Sequence, residues 1–310
     1  MSKKQRLDQC IGNYRLRRLL SRSHTTEIYF AEHTLFHTEA AVKLLDGDIA
    51  GNEVEKFLAQ ATLLTQLQHP HIVHVLDFGM LEESAFLIMK YAANGTLRQR
   101  YPKGTRLPVP RILHYVRQIA DALQYVHQHH LIHRDIKPHN MLLGTNDDVM
   151  LTDFNIAVVA QDFASNAPPL RDFEGTVPYA APEQLQGRPQ KSSDLYALGI
   201  IVYEWLCGGW PFTGSFDEIV HQHLFVPPPA LREKHIEVPM AFEQALWKAL
   251  AKEPAQRFSD VGEFVHALEQ AYPPTPLPVA MPEIPLTLSS RRQFMSPLPF
   301  TSKAVIDQAG

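Results

Sequence analysis

The spacing of hydrophobic residues changes part of the way along the chain. Up to Tyr91, most apolar residues occur in short runs that are rich in branched and aromatic residues and separated by polar breaks. These runs predict a five-stranded antiparallel sheet, with strands at 14–20, 27–32, 39–45, 72–78 and 85–91. Between Val54 and Leu67 the apolar residues recur at helical spacing, which predicts one helix that ends before His69-Pro70.

Beyond Tyr91 the apolar residues follow the helical period. Four helices are predicted, at 111–129, 194–207, 241–252 and 261–271. The second is apolar on most faces and is therefore expected to be buried. The change of period predicts an α+β fold of two lobes, a strand-rich N-lobe at about 14–91 and a mainly helical C-lobe at about 92–271. Residues 1–13 are then an N-terminal extension.

The composition changes again after Ala271. Eight prolines lie between Pro273 and Pro299 among few charges, so residues 272–310 are predicted to form a Pro-rich, disordered tail. The spacing of Pro273, Pro276 and Pro278 fits a ligand for a polyproline-binding partner, and a plain linker is the alternative.

Composition and charge narrow the class of protein. The 310 residues are 45% hydrophobic and 20% charged, as in ordinary globular proteins. The net charge of -4 gives no basic field that would attract nucleic acid. No apolar run reaches the ~18 residues of a spanning helix, so no membrane span is expected. Two cysteines, Cys10 and Cys207, do not make a disulfide framework, which favours a reducing, cytoplasmic location.

The candidate chemistry lies in a polar loop between two apolar runs. In the segment from His133 to Asn140, Asp135 is followed two residues later by Lys137 and five residues later by Asn140. A second carboxylate, Asp153, ends an apolar strand downstream. Carboxylate and amide oxygens beside a lysine are what Mg²⁺-nucleotide chemistry needs, so these residues point to phosphoryl transfer.

Six short motifs then carry a resemblance to a known family. They appear in order at the expected separations: Ala41-Val42-Lys43, His133-Arg134-Asp135 through Asn140, Asp153-Phe154-Asn155, Gly175-Thr176 before Ala181-Pro182-Glu183, Asp194 before Gly199, and Arg257. Over residues 14–271 the chain resembles the eukaryotic-like, Hanks-type serine/threonine protein kinases of bacteria. The resemblance implies a bilobal kinase fold and the use of ATP with Mg²⁺ or Mn²⁺.

The resemblance also implies roles for individual residues. Asp135 would orient the acceptor hydroxyl of a protein substrate and take its proton, and Lys137 would neutralise the transferred phosphoryl group. Asn140 and Asp153 would hold the metal. The positions implied to bind ATP are Lys43, Ser21, Ser23, Ile28, Ala41, Met89, Ala92 and Leu142. For the apolar members of this set, ordinary core packing is the alternative explanation.

Three further residues match positions that are structural in the family. Glu183 and Arg257 would form a buried ion pair within the C-lobe. Asp194 would cap backbone amides of the catalytic loop.

The chain departs from the family pattern at the nucleotide side. The three glycines of the glycine-rich loop are replaced by Ser21, Ser23 and Thr26, and the side chains of Ser21 and Ser23 crowd the approach to phosphate. The acidic residue expected on the N-lobe helix is Gln60, so Lys43 is predicted to lack its acidic partner there. Asn155 replaces the glycine after Asp153-Phe154. Asn is among the few other residues that tolerate a left-handed backbone conformation.

Two functions of different class therefore compete. The first is a serine/threonine protein kinase with weakened ATP positioning, because Lys43, Asp135, Asn140 and Asp153 are all present. The alternative is a pseudokinase that acts as a nucleotide-sensing or scaffolding module.

Overall fold

The computed structural model of the chain describes residues 6–23, 26–45, 52–81, 84–154 and 177–273, with the side chains of Asn52, Glu53 and Lys56 left out. The predictions for Asn155, Thr176 and the tail from residue 274 onward lie outside the described residues.

The N-lobe is an antiparallel sheet with one long helix. The strand order is β1-β2-β3-β4-β6-β5. The strands are β1 (Cys10–Ile11), β2 (Tyr14–Arg22), β3 (Thr26–His33), β4 (Glu39–Leu45), β5 (Val75–Leu81) and β6 (Ser84–Lys90), and α1 (Asn52–Gln66) lies between β4 and β5. The α+β fold class is confirmed, and the sheet has six strands rather than the five predicted.

The extra strand and one shifted strand have physical explanations. β1 is a two-residue strand whose Cys10 and Ile11 pair with β2, and so short a strand shows no alternation in the sequence. The predicted strand at 72–78 begins instead at Val75. The residues before it bond to the C-lobe: the Val73 amide donates to the Leu151 carbonyl at 2.9 Å. The apolar run at 72–73 therefore ties the lobes together.

The two faces of the sheet carry different cores. On one face, Leu16, Tyr29, Val42 and Ile88 belong to a small buried cluster of the N-lobe alone. The opposite face of β6 joins the main core: Leu87 pairs with Lys43 of β4, and its side chain is buried together with Phe57 and Ala61 of α1. Lys43 therefore projects from the face that looks toward the main core.

The described part of the C-lobe consists of helices, their connecting loops and one hairpin. Its helices are α2 (Leu97–Arg100), α3 (Val109–Gln128), α4 (Pro182–Leu185), α5 (Lys191–Cys207), α6 (Phe216–Phe225), α7 (Met240–Ala249) and α8 (Val261–Ala271). The hairpin consists of β7 (Met141–Leu143) and β8 (Val149–Leu151). As predicted, α5 is buried, and it is covered from Ser193 to Leu206. Among the described helices, none combines the length and the apolar character of a membrane span.

One buried ion pair fastens α4 to the loop before α8. Arg257 donates to both carboxylate oxygens of Glu183, each at 2.7 Å, and the two side chains are 0% and 5% exposed. The remaining Arg257 donors bond to the carbonyls of Ala251, Ser192 and Lys252. The predicted pair is confirmed, and its complete set of hydrogen bonds is what makes burial of the charges tolerable.

Candidate active site

The catalytic loop has a backbone conformation that its surroundings must hold in place. Arg134 has φ of 67°, in the left-handed region that non-glycine residues avoid. Its amide donates to Asp194 Oδ1 at 2.8 Å, and its carbonyl accepts from Gln184 Nε2 at 2.6 Å. Both backbone groups of Arg134 are therefore fixed by buried side chains, and this presents the next residue, Asp135.

Asp194 is the main anchor of this loop. Its carboxylate is 1% exposed and accepts from the amides of His133 and Arg134 and from His127 Nε2, the last at 2.7 Å. Burial by itself raises the pKa of Asp194, but the hydrogen bond and charge of His127 outweigh it, so the pKa lies below its usual range. The predicted capping of loop amides by Asp194 is confirmed.

Asp135, Lys137 and Asn140 lie in direct contact. Lys137 Nζ is 2.8 Å from Asp135 Oδ2, and Asn140 Nδ2 donates to the same oxygen at 2.8 Å. Asn140 also donates to the Asp135 carbonyl at 2.9 Å. Because both bonds use the amide nitrogen, the orientation of the Asn140 side chain is fixed. The Asp135 side chain remains 23% exposed, so an incoming molecule can reach it.

Asp153 is joined to Lys43 of the N-lobe. Lys43 Nζ donates to Asp153 Oδ1 at 2.8 Å. Burial raises the pKa of Asp153, but the positive charge of Lys43 and its hydrogen bond outweigh this, and the pKa is lowered. Like Arg134, Asp153 has a left-handed backbone, with φ of 60°. Lys43 does have an anionic partner, therefore, although it is not a residue of α1.

Gln60 occupies the position on α1 where an acidic residue was expected, and its side chain lacks a hydrogen bond. The residue is 8% exposed, and among the described residues its Oε1 atom has no hydrogen-bond partner. Buried polar atoms of native proteins are nearly always paired, so this one marks a local conflict. No hydrogen bond joins Gln60 to Lys43 within the described part of the chain.

Ser21 and Ser23 lie where the hairpin of β2 and β3 turns. Both are exposed. Ser23 donates its amide to the Thr26 carbonyl at 2.8 Å, and Ser21 pairs with Ile28 across the strands. At Ser23 the backbone donor is thus already engaged within the hairpin.

The apolar residues predicted to contact adenine come from both lobes. In the N-lobe, Ile28 lies opposite Lys43 and Ala41 lies opposite Met89, which places all four on one face of the sheet. Met89 is buried and accepts a weak hydrogen bond from Thr152 Oγ1, next to Asp153.

The other two predicted contacts lie beyond the N-lobe sheet. Leu142 on β7 is half-buried, and its backbone pairs with Thr96. Ala92 is half-buried in the link between Lys90 and Thr96. The bonds of Val73 to Leu151 and of Lys43 to Asp153 join the N-lobe to the hairpin of the C-lobe and the residues after it.

The donor set fits a divalent cation that is completed by phosphate oxygens. Mg²⁺ is usually held by one or two carboxylates together with substrate phosphates, and keeps several waters. Asp153 supplies a carboxylate with a lowered pKa, and the oriented amide of Asn140 supplies an oxygen. Within the described residues no group of three or more His, Cys, Asp or Glu side chains forms a self-sufficient metal site.

Several supporting residues were missed at the sequence level. His127 gave no signal in the sequence, and His133 was noted only as part of the His133-Arg134-Asp135 motif, yet both are buried. Burial lowers the pKa of His133, and its Nε2 donates to the Thr152 carbonyl at 3.1 Å. Gln184, which fixes the Arg134 carbonyl, has no sequence signature at all.

Comparisons with known proteins agree with this geometry. The family model of the protein kinase domain matches residues 14–272. The chain is 31% identical to serine/threonine-protein kinase PrkC of Bacillus subtilis over 84% of this chain and 41% of that protein. It is 30% identical to serine/threonine-protein kinase PknH of Mycobacterium tuberculosis, over 93% of this chain and 50% of that protein.

A third relative is serine/threonine-protein kinase PknF of Mycobacterium tuberculosis, which is 35% identical over 78% of this chain and 52% of that protein. The chain thus spans about half the length, or less, of these three relatives. The motifs, the two-lobed fold, the anchored catalytic loop and the match over residues 14–272 together establish that the chain belongs to the protein kinase domain family.

Proposed function

We propose that this chain is an ATP-dependent serine/threonine protein kinase. The observation that carries the proposal is the contact of Asp135, Lys137 and Asn140 on a loop whose backbone is fixed by Asp194. A loop that only linked two elements would not need a strained residue with both backbone groups bonded to buried side chains. The cost of that strain is explained if the loop must present Asp135.

The chemistry assigns one task to each residue. Asp135 accepts the hydrogen bond of an incoming serine or threonine hydroxyl, orients its oxygen and takes its proton. Lys137, held against Asp135, supplies positive charge where the phosphoryl group passes. When bound, ATP would supply the γ-phosphoryl group and leave as ADP, and the divalent cation would offset the negative charge of the phosphates. Asp153 and Asn140 would hold the cation, and their oxygen donors suit Mg²⁺ and Mn²⁺ alike.

On the nucleotide side, we propose that Lys43 contacts the phosphates and that Ile28, Ala41, Met89, Ala92 and Leu142 enclose the base. Ser21 and Ser23 would cover the phosphates more loosely than glycines, since side chains hinder a close approach of the backbone. Weak ATP positioning follows, and with it a raised KM for ATP.

A pseudokinase is the second candidate, and a specific observation favours it. Lys43 and Asp153 are paired with each other, while the Oε1 atom of Gln60 lacks a partner among the described residues. If this pair persists when nucleotide is present, Asp153 is not released for a cation. The chain would then bind partners without transferring phosphate.

The deciding experiment is transfer of labelled γ-phosphate from ATP to the chain itself and to a generic basic protein, with Mg²⁺ and with Mn²⁺ in parallel. Kinase activity predicts a signal that falls by about 10²- to 10⁴-fold in Asp135→Asn, the range typical of a lost general base. An Asp147→Asn variant is the matched control, because Asp147 lies in a C-lobe ion pair with Arg111. No difference between wild type and Asp135→Asn at saturating ATP would establish the pseudokinase instead.

The wider assignments belong to the same proposal. We place the kinase domain at 14–271, with lobes at 14–91 and 92–271, an extension at 1–13 and a Pro-rich tail at 272–310. The partners are a protein substrate and a polyproline-binding protein for the tail, with no nucleic acid. A cytoplasmic location is supported by the unpaired thiols of Cys10 and Cys207.

A further inference from the structure

The hairpin end, which comprises residues 21–23, 26 and 27 where β2 leads to β3, contains a buried carboxylate. Glu27 is 3% exposed, although Ser21, Arg22 and Ser23 beside it are all exposed. Burial of a charged group is costly unless the group is paired and hydrogen-bonded. A charge at this position, next to Ile28 of the proposed nucleotide site, must therefore be stabilised by specific partners.

Both carboxylate oxygens of Glu27 are engaged. Arg22 Nε lies 2.8 Å from Glu27 Oε1, and the two residues are direct partners across the strands. The hydroxyl of Tyr29, which is fully buried, donates to Glu27 Oε2 at 2.9 Å. Burial raises the pKa of Tyr29 and the hydrogen bond to Glu27 raises it further, so the hydroxyl keeps the proton that it donates. The Arg22 side chain is thus held by a carboxylate that is itself fixed from the N-lobe core.

The strand pairing separates the side chains of the hairpin end onto two faces. Direct partners on antiparallel strands share a face, and neighbours along one strand alternate between faces. Ser21 is the partner of Ile28, which lies on the same face of the sheet as Lys43. Arg22 and Glu27 therefore lie on the opposite face, which carries the small N-lobe cluster. Their ion pair stabilises the hairpin without occupying the face that looks toward the proposed phosphate site.

A β-bulge lies directly before this ion pair. The register of β2 shifts by one residue between Leu19 and Ser21, which leaves Leu20 as the extra residue. Bulges change the direction of the side chains that follow them and are common next to active sites. A shift of one residue moves every following side chain to the other face of the sheet. The bulge therefore brings Arg22 to the face on which Glu27 is buried.

We propose that Glu27 is a positioning residue for ATP, because through Arg22 it holds the hairpin end in one conformation over the phosphates. Residues 14–33 contain no glycine, so the hairpin lacks the dihedral freedom that glycine provides. A hairpin end that is already ordered loses less conformational entropy when the nucleotide binds. The inference rests on the proposed kinase function and deepens it, since it names a residue on which the binding of ATP depends.

The first test measures the affinity of the full chain for the fluorescent nucleotide mant-ATP in the presence of Mg²⁺. Glu27→Gln keeps the shape of the side chain and removes its charge, so it should weaken binding about five- to tenfold, the equivalent of one hydrogen bond. Glu32→Gln is the matched control, because Glu32 pairs with Arg17 across the same two strands at 2.9 Å. This control should bind mant-ATP as tightly as the wild type.

Substitutions of Arg22 test the same contact from its exposed partner, where a folding defect is not expected. Arg22→Gln should weaken binding as Glu27→Gln does, and Arg22→Lys, which keeps the charge, should retain most of the affinity. In steady-state transfer assays Glu27→Gln and Arg22→Gln should raise the KM for ATP and leave kcat within about twofold, as expected for lost ground-state binding. An equal loss in Glu32→Gln, unchanged binding in both weakening variants, or a wild type that does not bind mant-ATP would overturn the proposal.

The order of the hairpin end can be measured without nucleotide. The Ser23 amide donates to the Thr26 carbonyl at 2.8 Å, and NMR can follow its exchange with deuterium. We expect faster exchange of this amide in Glu27→Gln and in Arg22→Gln, and an unchanged rate in Glu32→Gln. Unchanged exchange in all three variants would contradict a positioning role. Because mant-ATP binding and amide exchange need no catalysis, absence of transfer with normal binding would reject the proposed kinase function and not this inference.

Discussion

The catalytic loop and the nucleotide side of the cleft differ in how completely their polar groups are satisfied. In the C-lobe, Asp194 alone accepts three hydrogen bonds, and both backbone groups of Arg134 are paired. On the N-lobe side, the Oε1 atom of Gln60 is unpaired among the described residues, and Lys43 reaches across the cleft to Asp153. The residues proposed for acid-base chemistry thus lie on a loop that is held by buried hydrogen bonds, whereas Lys43 and Asp153, proposed for phosphate and metal, pair with each other.

The difference predicts which region tolerates displacement of its side chains and which does not. A fully paired buried network resists motion, because any displacement leaves a donor or acceptor without a partner in a medium of low dielectric constant. Lys43, which has one partner among the described residues, can exchange it at little cost when phosphate arrives. We expect mutations in the C-lobe network to cause large losses and mutations on the N-lobe side to tune affinity.

The largest effect is expected from the buried ion pair of the C-lobe. Arg257→Ala leaves Glu183 charged and unpaired in the core and should lower the free energy of unfolding by about 3–5 kcal/mol. The measurement is urea unfolding followed by tryptophan fluorescence. Arg17→Ala is the control, because Arg17 pairs with Glu32 at 2.9 Å on the surface and should cost at most ~1 kcal/mol. Similar losses in both variants would contradict the stated role of burial.

Asp194→Asn should have the next largest effect, and on activity more than on stability. The isosteric amide places an NH₂ group against donors from His127 and the loop amides, so the loop moves. A displacement of about 1 Å at a reacting group costs about 10²-fold in kcat. Steady-state kinetics measure this loss, and Asp217→Asn at an exposed position of α6 is the control. An unchanged kcat would show that the loop does not depend on this carboxylate.

Gln60→Glu should improve the nucleotide side of the cleft rather than impair it. A glutamate at this buried position of α1 gives Lys43 a second anionic partner and competes with Asp153 for it. Charge-assisted hydrogen bonds are roughly twice as strong as neutral ones, so the KM for ATP should fall by about three- to tenfold. Gln66→Glu, at an exposed position in the last turn of the same helix, should leave the KM unchanged. A higher KM in Gln60→Glu would mean that the new charge is buried without reaching Lys43.

A further prediction concerns the dependence of stability on pH and Lys252. Burial, with a further contribution from the charge of Arg257, lowers the pKa of Lys252 from 10.5 to about 7 in the folded chain. Between these two values the unfolded chain binds a proton that the folded chain lacks, so stability rises with pH above about 7 and this contribution is flat below it.

Unfolding midpoints measured from pH 6 to pH 9 test this expectation. Lys252→Met should reduce the rise in stability with pH, whereas the exposed Lys248→Met, on the neighbouring helix α7, should retain it. Equal slopes in both variants would assign the pH dependence to other groups.

Much of the fold followed from periodicity. The change from short alternating runs to helical spacing near Tyr91 separated the strand-rich lobe from the helical one, and α8 was predicted at its observed bounds, Val261–Ala271. The failures were local. β1 is too short to show a pattern, and the apolar residues 72–73 bond to Leu151 instead of joining β5.

The sequence by itself determined which residues are candidates for the chemistry and the order in which they occur. The spacing of Asp135, Lys137 and Asn140 within one loop is a local property, so their contact was predictable. The partner of Lys43 was not, because Asp153 lies 110 residues away and its choice over Gln60 depends on how the lobes approach each other.

Only the tertiary structure could decide the roles of His127 and Gln184, which act from other elements on the backbone of the catalytic loop. The same holds for Glu27, whose burial and pairing with Arg22 depend on the register of two strands. Hydrophobic period fixes which face of a helix is buried, but the pairing of individual buried polar atoms depends on distances of a few tenths of an ångström between elements far apart in the chain.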